Sequence, residues 1–165
     1  MVYPQPSAPL RFDATVQPGA GLRPIEARSR FGIPEGFDTE GFARNAKIYF
    51  VRLQAAWDAG NLPDIREFTS AEMFDEIKRQ LDERGDASNR TDVVTLDAEV
   101  LGVTGNDREH MASVRFHGML REELDGPAIA FDEVWNLTKP AVGNGGWVLA
   151  GIQQVQSQQP YQVEV

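Results

Sequence analysis

In Thr91-Asp92-Val93-Val94-Thr95-Leu96-Asp97-Ala98-Glu99-Val100 the chain changes its hydrophobic period. Val94, Leu96, Ala98 and Val100 alternate with Thr95, Asp97 and Glu99, the two-residue repeat of a strand with one buried face. The same alternation continues downstream. Gly105-Asn106-Asp107 makes a turn, and Ala112, Val114, Phe116, Gly118 and Leu120 alternate with Ser113, Arg115, His117, Met119 and Arg121. Asp125-Gly126-Pro127 makes a second turn, followed by a strand over Ile129–Lys139 that Pro140 ends. Gly143–Gly146 is a tight turn before a fourth strand, Trp147–Gln154. Connections this short require antiparallel pairing.

Upstream of Thr91 the period is helical. Asp38 is an N-cap, and Phe37 and Phe42 stand at the two positions of a hydrophobic staple. Phe42, Ala46, Tyr49, Phe50, Leu53 and Trp57 form one apolar face, with Arg44, Lys47, Gln54 and Asp58 expected away from it and Gly60 as the stop. Asn61–Phe68 reads as a short helical turn with Pro63 near its start and Leu62, Ile65 and Phe68 inward. Thr69 and Glu72 predict a capping box for a helix carrying Met73, Phe74, Ile77 and Leu81 and ending near Gly85, before a polar loop over Gly85–Asn89. Helices first and strands after give an α+β fold: helices packed on one face of a curved four-stranded antiparallel sheet. Such an arrangement is a cone with an open end and a pocket between helix and sheet.

A chain of 165 residues suits one domain. Cysteine is absent, which excludes disulfides, a thiolate nucleophile and cysteine-ligated metal. The 16 Lys and Arg against 25 Asp and Glu give a net charge of −9, the wrong sign for phosphate neutralisation, so no nucleic-acid partner is expected. Attachment to anionic lipid by charge is disfavoured for the same reason. The longest apolar run, Trp147–Ile152, is far short of the ~20 residues of a spanning helix, and Met1–Pro6 does not open a signal peptide. Residues 1–36 hold six of the ten prolines and no apolar period, and read as a flexible Pro/Gly-rich arm. A tether is the simpler reading of that arm. Its four arginines, Arg11, Arg23, Arg28 and Arg30, also suit docking on the acidic remainder or on a neighbour. The folded domain is expected over 37–156, with 157–165 a polar tail.

No catalytic string is present: no phosphate-binding loop opening a helix, no His-Glu-x-x-His and no nucleophile elbow. His110 and His117 are seven residues apart on one strand and so face opposite ways, and they cannot share a metal without other ligands; His110 reads as an exposed strand-entry residue. His117 is a surface residue on the simplest reading, and a pocket wall or general base on the sharper one. Glu133 alternates with Phe131, Trp135 and Leu137 and therefore stands on an apolar strand face. It is expected to pair with Arg115 or Arg121, with an acid–base role the alternative. Trp57, Trp135 and Trp147 suit a helix–sheet core, or the wall of a groove.

Gly41-Phe42-Ala43-Arg44-Asn45-Ala46-Lys47 through Leu53-Gln54-Ala55-Ala56-Trp57-Asp58, the segment Leu62 to Phe74, Glu133-Val134-Trp135 and Trp147-Val148-Leu149-Ala150-Gly151-Ile152-Gln153-Gln154 together resemble the Tim-forty-four-like domain. This is the C-terminal domain of the mitochondrial inner-membrane import translocase subunit, and the chain looks most like bacterial members. The resemblance runs from about Phe37 to Gln156. It implies a fold similar to the nuclear-transport-factor-two superfamily, and no catalysis. It also implies an adaptor role in protein translocation or assembly at an inner membrane, peripheral or anchored through a segment outside this chain.

Two functions follow as expectations. The first is a non-enzymatic adaptor that binds a peptide, protein partner or acyl chain through its pocket or sheet face. Tyr49, Leu53, Trp57, Phe74, Phe116, His117, Glu133, Trp135 and Trp147 are its candidate contact residues, with no metal and no cofactor. The second is a small-molecule enzyme like ketosteroid isomerase, with Glu133 as base and Tyr49 or His117 as donor. An edge strand and an arginine-bearing arm also allow a homodimer or arm exchange.

Overall fold

The computed structural model describes residues 33–85, 90–122, 125–143 and 145–155. Three helices, α1 (Thr39–Ala59), α2 (Leu62–Glu67) and α3 (Ala71–Arg84), precede four strands, β1 (Asp92–Gly105), β2 (Glu109–Arg121), β3 (Ala128–Pro140) and β4 (Val148–Gln154). The sheet runs β1-β2-β3-β4 with every neighbouring pair antiparallel. The α+β arrangement read from the change of period is therefore the observed one. Residues 1–32 of the arm expected over 1–36, the tail expected over 157–165 and residues 86–89 of the polar loop lie outside the described residues.

The helix ends follow from local chemistry. Asp38 accepts the Gly41 N–H at 2.9 Å, and the Phe37 and Phe42 rings meet 5.4 Å apart, so cap and staple both form. Gly60 ends α1 in the left-handed region, φ 66°, where its lack of a Cβ costs nothing, and its N–H returns to α1 carbonyls. Asn61 caps α2 and Pro63 sits in its first turn. The cap of α3 differs from expectation. Ser70, and not Thr69, accepts the Met73 N–H. Thr69 is held extended by a parallel bridge to Leu149, with Ser70 N–H bonded to the Leu149 carbonyl and Leu149 N–H to that of Phe68, both at 2.8 Å. A residue paired to a strand cannot open a helix, so the start moves one position on.

One sheet face packs on the helices. Val100, Val114, Phe116, Leu120, Phe131, Trp135, Leu137 and Ile152 join Ala46, Phe50, Leu53, Trp57, Ile65, Met73 and Ile77 in one core. Phe50 is its centre, with the rings of Phe116, Trp135 and Phe131 at 4.9, 5.1 and 5.4 Å. Each such side chain contributes about 1.5–3 kcal/mol on burial. Gln54, expected on the polar side of α1, is buried. The apolar stripe of α1 is wide, and β1 crosses it on that flank.

β1 bends around α1 at two irregularities of register, between Val93 and Thr95 and between Val100 and Gly102. At the first, Gly118 of β2 lies so close that a Cβ there would stand 2.2 Å from the Thr95 carbonyl oxygen. The start of β1 is fastened to the end of α1: Asp58 accepts the Thr91 N–H at 2.7 Å and the Thr91 hydroxyl at 3.1 Å.

Candidate functional site

The nine residues expected to line a pocket are distributed over three places. Leu53, Phe116, Glu133 and Trp135 lie in the core, with almost no exposure. Trp57 and Phe74 are also buried, but each under a guanidinium, Arg84 at 5.0 Å and Arg66 at 4.2 Å. Tyr49 and Trp147 meet at a small recess of about 140 Å3, completed by Phe42, Asn45, Ala46 and Leu137. His117 is on the opposite sheet face, in register with Asp97 of β1 and Asp132 of β3.

Glu133 does not pair as expected. Arg115 forks onto Asp132 on the other sheet face, at 2.9 and 2.6 Å, and the Arg121 Nε donates to the Gly126 carbonyl. Alternation fixes this outcome. Asp132 and Arg115 point away from the helices, whereas Glu133 points toward them. There the Trp135 indole N–H donates to Glu133 Oε1 at 2.8 Å, and the Gln154 amide donates to Oε2 at 3.3 Å. Phe131 and Trp135 flank the carboxylate along β3, and Phe116 faces it from β2. The helix-facing interior is thus filled by side chains around Glu133.

An open groove of about 1010 Å3 lies beside that core, between α1 and the first half of β1. Ile48, Val51 and Ala55 form its helix wall, and Val93, Val94 and Leu96 its strand wall. Ile48 is 59% exposed, Val51 47% and Val94 42%. Lys47, Arg52 and Arg121 contribute cations to its lining. Arg52 is paired with Asp64 of α2, whose hydrogen bond from the guanidinium holds the Asp64 carboxyl below the usual carboxylate range. Among the described residues β1 pairs with β2 on one side only, so its other edge offers backbone donors and acceptors along the groove.

This groove escaped the sequence reading, although a signal for it exists. Ile48, Val51 and Ala55 recur at three and four residues, a second and weaker apolar stripe beside the main one on α1. Its strand wall belongs to the change of period itself. Only the crossing of α1 over β1 shows that the two stripes face one opening.

A family model for the Tim44-like domain matches residues 28–154, most of the chain. The chain belongs to the Tim44-like domain family. No curated protein and no solved structure gives a significant match. Membership suggests a membrane-associated, translocase-related role in binding proteins, in a family that is generally not enzymatic. Among the described residues of this Tim44-like domain, no helix is long and apolar enough to cross a membrane.

Proposed function

We propose that this Tim44-like domain is a non-enzymatic adaptor in protein translocation or assembly at a membrane, and that it holds an extended segment of a protein partner in the groove between α1 and β1. The carrying observation is the coincidence of exposed apolar side chains, Ile48, Val51 and Val94, with a strand edge. A segment added along β1 would gain backbone hydrogen bonds and seat alternate apolar side chains against α1, the usual economy of strand addition. The Tyr49–Trp147 recess, at about 140 Å3, has room for one further side chain of the partner. The ketosteroid-isomerase-like alternative draws no support from the packing. Its base would be a fully buried carboxylate whose oxygens accept from Trp135 and Gln154 inside a box of rings.

The test is site-specific photocrosslinking of the full chain in its own cells. A photoreactive phenylalanine at Ile48 or Val94 is expected to capture a discrete membrane-fraction protein, and the same group at Arg79 on α3 is not. Val51→Asp is expected to weaken that capture about tenfold or more, the range for a central apolar contact. Equal capture from Arg79, or none from the groove, refutes the reading.

A further inference from the structure

Lys47 has no carboxylate within a turn of α1: its neighbours at three and four residues are Ala43, Arg44, Phe50 and Val51. The facing strand supplies none either, since Asp97 and Glu99 of β1 stand in register with His117 and Arg115 on the other sheet face. Among the described residues Lys47 forms no ion pair. It lines the groove between α1 and β1, and so does Arg121. The Arg121 Nε donates to the Gly126 carbonyl, a bond that leaves the charge of the guanidinium uncompensated. The other charges of the lining are engaged. Arg52 forks onto Asp64, Asp58 accepts the N–H and the hydroxyl of Thr91, and Arg90 approaches Asp92 to 3.5 Å.

The two uncompensated cations stand at opposite ends of the groove. Asp58 ties the end of α1 to Thr91, so β1 starts there and runs back along the helix. Arg121 is in register with Asp92 at that tied end. Lys47 precedes Asp58 by 58 − 47 = 11 residues of α1. At 1.5 Å per residue that is about 16 Å, which an extended strand covers in about five residues. The exposed apolar side chains of Ile48, Val51 and Val94 belong to the same groove. A guest strand there meets apolar surface along its middle and a positive charge toward each end. The molecule as a whole carries −9, so its long-range field has the opposite sign to this groove.

We infer that the groove selects acidic partner segments: an apolar strand of about five residues with a carboxylate at each end, one over Lys47 and one over Arg121. The inference rests on the proposed docking in this groove and adds the chemistry of what docks. Lysine or arginine at the same two places is disfavoured, because it would face like charge beside apolar walls. A partly exposed pair adds little affinity by itself, so the selectivity expected from two pairs is several-fold.

The test uses the full chain and three fluorescein-labelled peptides that share one five-residue apolar strand sequence and differ only in carrying Glu, Gln or Lys at both flanks. Binding is read by fluorescence anisotropy at physiological salt. The Glu peptide is expected to bind about fivefold or more tighter than the Gln peptide, with the Lys peptide weakest. The net charge alone predicts the reverse order, so the two effects separate. Lys47→Glu together with Arg121→Glu is expected to invert the order, and Lys47→Gln alone, a milder change, to reduce the preference for Glu. Val51→Asp is expected to weaken all three peptides. If the Gln or Lys peptide binds as tightly as the Glu peptide and Val51→Asp releases it, docking in the groove stands and the acidic preference is overturned. A preference for Glu that survives both charge variants also overturns it. If no peptide binds, or if Val51→Asp leaves binding unchanged, docking in the groove falls and the acidic preference falls with it.

Discussion

Glu133 occupies a position where strand alternation would place an apolar residue, and it holds the Trp135 indole and the Gln154 amide. Glu133→Ala removes the acceptor of a buried indole and leaves a cavity, so a loss of about 3 kcal/mol or more is expected in urea unfolding. Glu133→Gln keeps an acceptor oxygen and is expected to cost less. A second sensitive residue is Gly118. The Thr95 carbonyl would stand 2.2 Å from an added Cβ, and the contact is with backbone, which cannot rotate away. Gly118→Ala is therefore expected to destabilise the chain by about 1–3 kcal/mol. It is also expected to loosen the first half of β1, seen as faster amide exchange at Thr95 and Leu96. The presence of these residues is plain in the sequence. Their partners are not, because Gln154 reaches Glu133 only after β4 pairs with β3.

At the scale of elements, the caps were readable because they act within a few residues. Asp38 and Gly60 take the places that their chemistry favours. The shift of the α3 cap from Thr69 to Ser70 was not readable, since a bridge to Leu149 eighty residues away causes it. Among the ion pairs that brace the helices, Arg52–Asp64 joins α1 to α2, and Arg79–Glu76 lies within α3. In each, the hydrogen bond from arginine holds the carboxyl below its usual range. A carboxyl with a lowered folded pKa adds stability above its unfolded pKa and loses it as pH falls through the folded one. The thermal midpoint is therefore expected to drop between about pH 5 and pH 2. Asp64→Asn with Glu76→Gln is expected to flatten that acid limb slightly, since exposed pairs contribute little.

For the whole molecule, the net charge of −9 governs how it meets other surfaces. Anionic bilayers repel it, so the full chain is expected to stay out of the floating fraction with cardiolipin-containing vesicles at physiological salt. Flotation that requires anionic lipid would show a direct lipid contact and would turn attention to the arginines of the arm. The groove substitutions sit at exposed positions and are expected to leave stability within about 0.5 kcal/mol. Loss of capture by Val51→Asp would then report binding and not folding.

The sequence by itself determined the elements, their order, the antiparallel meander and the family, because period, caps and short turns act locally or through ordered motifs. The tertiary structure decided which side of each element meets water. It filled the helix-facing interior with Phe50 and its ring neighbours, and it turned Arg115 away from Glu133. It also opened the groove between the second stripe of α1 and the edge of β1. Those outcomes depend on the bend of β1 and on register between strands distant in sequence, and a one-dimensional pattern does not carry such distances.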